Sequence, residues 1–185
     1  MLLKPCATGA MLALCVIAGQ VVSAQNPDPV DVTVIRAVVR HVALPELRVV
    51  SQGDRLRPIM LSDLTLAKCP AEATAPCVSQ DVYLAARRET GKGTWPPALT
   101  ASFESAAATS LRLGPIDDPG FTVASAASIK ASPKNSARLA ITRPAVIQNR
   151  ALVYVQFAAT WTWLVLLHWN GQEWLVEDKI LLSIS

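Results

Sequence analysis

The stretch WTWLVLLHWNGQEWLVEDKILLSI, residues 161–184, decides the fold class. Two runs rich in β-branched, aromatic and aliphatic residues flank Asn170-Gly171, the strongest short-range hairpin signal, so 161–169 and 173–184 are predicted to pair antiparallel. A two-residue turn would fix the register, with residues whose numbers sum to 341 opposite each other. One face would then carry Trp161, Trp163, Val165, Leu167, Trp174, Val176 and Ile180. The other would carry Thr162, Leu164, Leu166, His168, Glu173, Leu175, Glu177 and Lys179. The Trp-rich face is expected to be core or the wall of a pocket.

Upstream, 139–147 and 151–157 have the same strand character, which makes the C-terminal third a four-strand meander. At the other end, Asp28, Pro29 and Asp31 form a helix start: an acidic cap, a proline at the first position and a carboxylate at the positive end of the dipole. Ile35, Val38, Val39 and Val42 follow at helical spacing, with Arg36 and Arg40 on the opposite side, and the helix is expected to stop before Pro45. A short strand is expected at 47–50 and a polar turn at Ser51-Gln52-Gly53-Asp54. Residues 55–80 have no sustained period, and 82–86 reads as a strand or a short helix. Residues 98–108 read as a second helix with Leu99, Phe103 and Ala106 as its apolar stripe. Asp117-Asp118-Pro119-Gly120 marks a loop, and 124–137 is expected to be mobile. The expected fold is α+β: two helices packed on one face of a curved antiparallel sheet that ends in a β-meander.

The first residues carry one charge, Lys4, then an uncharged apolar run from Ala10 to Val22, then Val22-Ser23-Ala24. That pattern predicts a signal peptide over 1–24, cleaved after Ala24, and a single periplasmic or secreted domain over 25–185. The run is shorter than the roughly 20 apolar residues of a membrane span, so no transmembrane segment is expected after cleavage. Leu14 before Cys15 is too large for a lipoprotein site. Of 17 basic and 14 acidic residues only Lys4 leaves with the signal, and the balance that is left offers nothing to nucleic acid. Cys6 and Cys15 are lost as well. Cys69 and Cys77 then form a disulfide in an oxidising compartment, stapling a short proline-flanked loop.

No nucleophile elbow, phosphate loop, dinucleotide fingerprint or metal-ligand spacing is present, so no catalytic residue, metal or cofactor is assigned. Asp178 is the polar residue of interest, because the expected register sets it opposite Trp163 among apolar side chains, where it needs a partner such as Arg143 or a ligand, against the alternative that the strand end is wet and Asp178 exposed. Trp161, Trp163 and Trp174 complete the candidate ligand pocket, against the alternative that they simply pack. His168, opposite Glu173, reads as half of a surface pair, and His41 as a residue favoured by its helix terminus.

The segment Ala140-Ile141-Thr142-Arg143-Pro144-Ala145, with Asn149, Ala151-Leu152-Val153-Tyr154-Val155, Leu164-Val165-Leu166-Leu167, Asn170-Gly171, Trp174 and Val176, resembles the C-terminal end of a group of small uncharacterised secreted bacterial proteins. Ala158 and Ala159 stand where members of that group often carry cysteines. The ending also resembles the last hairpin of nuclear-transport-factor-like cone folds, which implies helices packed into a curved sheet around a pocket. The expected function is a non-catalytic binding or interaction module whose partner is another envelope or secreted protein, for example an inhibitor or immunity-type protein. The alternatives are a hydrolase or small-ligand binder of the envelope with a Trp-lined pocket and Asp178 as acid or base, and a structural envelope protein. A filled Trp face favours the first; a concave pocket holding Asp178 favours the hydrolase.

Overall fold

The computed structural model describes residues 28–50, 58–70, 76–132, 136–157 and 161–184. The predicted signal segment, its cleavage point and the turn at 51–54 lie outside the described residues. Helix α1 is Pro29–Val38, and the Asp28 carboxylate caps it by accepting from Val30 N at 2.9 Å. It does not stop before Pro45. A π-helical turn, Val39–Ala43, leads into α2, Leu44–Val50, with Leu44 N bonded to Val39 O five residues back. The wider turn ends where Pro45 has no N–H to donate and where its ring would crowd the carbonyl four residues earlier. The strand expected at 47–50 is therefore helix.

Residues 82–86 belong to α3, Gln80–Gly91, and the second expected helix is α4, Pro97–Ala106. Two short strands were not legible in sequence: β1, Ile59–Ser62, and β2, Phe121–Ala124, which pair in parallel. In the stretch expected to be mobile, Ser125 caps a short helix α5, Ala126–Ala131. The C-terminal part comprises β3 (Ala137–Ile141), β4 (Ala145–Ile147), β5 (Arg150–Phe157), β6 (Trp161–Trp169) and β7 (Trp174–Ile184). Among the described residues these strands form a seven-stranded sheet in the order β2-β1-β3-β5-β6-β7, with β4 also on β5. It is mixed, since β1 pairs in parallel with both β2 and β3, while the meander is antiparallel.

The strand expected over 139–147 is broken in two. Thr142 N still bonds Tyr154 O, but Pro144 has no N–H for the ladder, and pairing with β5 resumes only at Ala145. The break leaves Arg143 outside the sheet.

Helices cover both faces, where the sequence suggested one. Val153, Val155, Trp163, Val165 and Leu167 pack with Val34, Ile35, Val38, Val39 and Val42 of the first helical segment. Leu152, Tyr154, Leu164 and Leu166 pack with Val82, Tyr83, Ala86, Leu99 and Phe103 of α3 and α4. Alternate residues of β5 and β6 thus enter two separate cores.

The terminal hairpin forms with a different turn. Asn170 Oδ1 accepts from both Gln172 N and Glu173 N at 2.9 Å, and Gly171 takes φ +100°. The loop is therefore four residues long, 170–173, and Trp169 stands opposite Trp174. The register shifts again between Leu166 and Leu167, where Glu177 is the extra residue on β7. From Asp178 to Leu181 the β7 side chains change face, until a second extra residue, Leu182, restores the phase: Asp178 lies opposite Leu166 instead of Trp163, and Ile180 packs in the α3/α4 core.

Cys69 and Cys77 are bonded, with Cα atoms 5.0 Å apart. No described helix is long and apolar enough to cross a membrane. Replacing both cysteines by serine should lower stability by about 2–3 kcal/mol, the chain-entropy value for so short a loop, while leaving the near-ultraviolet spectrum of the tryptophans intact. Urea unfolding of the two forms checks this; loss of the folded spectrum would make the bridge a requirement for the whole fold.

Candidate functional site

The Trp face is filled. Trp163 and Trp174 are buried against α1, and the Trp174 indole donates to Thr33 Oγ1 at 3.2 Å. Trp161 is half-buried, its ring 5.8 Å from that of Trp163. Lys179 lies over the Trp163 ring at 5.4 Å and reaches Glu46 of α2 at 2.7 Å. These three tryptophans line neither of the two recesses described below.

Asp178, on the opposite face, accepts from the indole of Trp95 at 3.1 Å through Oδ2 and from Lys179 N at 2.8 Å through Oδ1. Trp95 is buried in the connection between α3 and α4, so this contact ties β7 to the second layer of helices. It plays no part in the sequence-based pocket, although a tryptophan set among Gly93, Pro96 and Pro97 is an anchor by composition. Asp178 and Arg143, expected as partners, are not brought together. His168 stands between Arg150 and Leu175, not opposite Glu173, and its Nδ1 is buried without a partner among the described residues. Glu177 pairs with Arg150 at 2.7 Å. His41 is exposed in the π turn.

Arg143 goes instead to Asp31. Its Nε donates to Asp31 Oδ2 at 3.2 Å, across 112 residues of sequence. Asp31 falls four residues before Ile35 and seven before Val38, on the stripe that enters the core, and is 5 % exposed. The sequence reading used it only as a dipole partner; the period would have marked it as a carboxylate on an apolar face. Burial pushes its carboxyl above the ordinary value of 3.8, and the Arg143 charge and hydrogen bond oppose that push.

This pair lines an open recess of about 440 Å³ between the start of α1, α4 and the break after β3. Asp28, Ser102, Ser105 and Thr109 supply further polar groups, and Val30, Ala106, Pro144 and Val146 the apolar wall. Ser102 and Ser105 are one helical turn apart on α4, and both face it. A second recess of about 300 Å³ lies between α3 and α4, where Arg87 and Glu104 make a two-bond pair at 2.6 and 2.8 Å. Among the described residues no three His, Cys, Asp or Glu side chains are grouped to hold a metal ion.

No protein-family model, curated protein or solved structure matches the chain.

Asp31 gives the site a pH signature. A carboxyl whose native pKa is raised favours the folded state most below its unfolded value of 3.8, and that contribution is lost as pH rises through the native value. Removing Arg143 removes both lowering causes, so the native value climbs further. Arg143→Met should lose about 1–2 kcal/mol at neutral pH, discounted because Arg143 is half-exposed, and should lose stability more steeply than the parent between about pH 4 and 7. Adding Asp31→Asn removes the titrating group and should leave a slope flatter than that of the parent. Urea midpoints across that range decide it, and equal slopes for Arg143→Met and parent would disprove the coupling.

Proposed function

We propose that the chain is an exported, non-catalytic binding module that engages another envelope or secreted protein by adding that partner's extended strand to β7. The observation that carries this reading is the sheet's outer edge. β7 is eleven residues long and ends the strand order, and no described strand pairs with its outer side. Both faces of the meander behind it are already packed. What β7 offers a partner is main-chain N–H and C=O groups, with Leu181, 49 % exposed, as an apolar contact. Strand addition uses those two elements: backbone bonds supply affinity and alternate side chains supply selectivity.

The same edge discourages indiscriminate pairing. Two register shifts interrupt it, and Glu177 and Lys179 place charge along it. A partner must match the stretch beyond the Glu177 bulge, which suits a dedicated inhibitor or immunity-type pairing better than self-association. The apolar run at the N-terminus and the Cys69–Cys77 bond support placing the encounter outside the cytoplasm.

The hydrolase alternative called for Asp178 in a concave, Trp-lined pocket. Asp178 is bonded to Trp95, lines neither recess, and has its former Trp neighbours behind another face. Nothing specific favours that reading.

The test is amide hydrogen exchange of the mature protein with a partner recovered from envelope extract and then purified. Binding should slow exchange in residues 178–184 and leave α3 unchanged. A tight partner that protects the helices and spares β7 would defeat the strand-addition reading.

A further inference from the structure

We infer that the recess around Asp31 and Arg143 is a second binding site, for a neutral, hydroxyl-rich ligand of the saccharide class. It shares no lining residue with β7, so it stands apart from the protein-binding reading. At about 440 Å³ it falls in the size range of small-molecule sites.

The polar groups select the ligand. Asp28 and Asp31 are acceptors, Arg143 is a donor, and the hydroxyls of Ser102, Ser105 and Thr109 are both. A ligand hydroxyl also donates and accepts, so neighbouring hydroxyls satisfy the whole set. Two carboxylates beside one guanidinium repel an anion, and among the described residues no three acidic, His or Cys side chains are grouped there to hold a metal cation. Val30, Pro144 and Val146 give an aliphatic surface for the C–H face of a ring.

Two further features point to a ligand. Asp31 is nine-tenths buried and bonds Arg143 through Oδ2, while its Oδ1 is open to solvent in the recess. Arg143 uses only Nε, and its Nη atoms have no partner among the described residues. A carboxylate on the core stripe of α1 costs stability that an apolar residue would not, and its solvent-facing oxygen and the exposed Arg143 Nη atoms are available to a ligand. The groups are also pre-set: the Val30 N bond holds Asp28, and Asp31 together with the Pro144 break holds Arg143.

The test is titration of the mature protein with N-acetylglucosamine, with maltose and with citrate, followed by amide shifts in two-dimensional NMR. Either saccharide is expected to shift Ser102, Ser105, Arg143 and Ala145 saturably in the millimolar range, and citrate is not. Ser105→Leu, at an exposed position outside the ion pair, should keep the melting temperature and weaken saccharide binding at least about tenfold. Absence of saturable shifts with both saccharides, equal binding by Ser105→Leu, or binding of citrate alone would overturn the proposal. Exchange protection of β7 by a protein partner should be the same in Ser105→Leu, so failure of either site is seen separately.

Discussion

Strands β5 and β6 carry apolar side chains on both faces, and that condition governs the architecture. Leu152, Leu164 and Leu166 point one way and Val153, Val155, Val165 and Leu167 the other, all essentially buried. Each such side chain is worth about 1.5–3 kcal/mol only if something covers it. A sheet of this kind needs a layer on each side. The first helical segment supplies one and α3 with α4 the other, and the two are separated in sequence by the disulfide loop. The first cover runs past Pro45, and the π turn accommodates the proline without breaking the layer.

At the sheet's edge the same demand meets polar residues. The stretch Glu177-Asp178-Lys179 interrupts an otherwise apolar strand, and a single inserted residue at Glu177 sorts the three. Glu177 meets Arg150, Asp178 turns to the Trp95 indole, and Lys179 covers Trp163. Without the insertion the Asp178 carboxylate would turn to the face of Trp163 and Trp174, away from the Trp95 indole that it accepts from. The bulge thus closes the Trp face as a packed core, and among the described residues no strand pairs with the outer edge of β7.

How much of this the sequence disclosed follows from how local each signal is. The Asp28 cap, the Ile35–Val42 stripe and the apolar strand runs 151–157 and 161–169 depend on near neighbours and were readable. So was the hairpin, but not its loop length, because Asn170 caps Gln172 and Glu173 with its side chain and makes a four-residue turn from an Asn-Gly signal. The parallel strands β1 and β2 are four residues each and gain stability only from partners far along the chain. The candidate site was half visible. Arg143 was singled out but given the wrong carboxylate, since the Pro144 break that frees it and the 112-residue span to Asp31 leave no local trace. Asp31 sat on a stripe whose period was already recognised, and counting it there would have exposed it.

The packing of both faces turns on the Glu177 bulge, and cross-strand NOE contacts on isotope-labelled protein spanning residues 25–185 test it most directly. The bulged register predicts contacts from Asp178 to Leu166 across the strands and to the indole N–H of Trp95. Contacts from Asp178 to Trp163, with none to Trp95, would restore the regular two-residue hairpin, return the carboxylate to the Trp face and contradict the packing described.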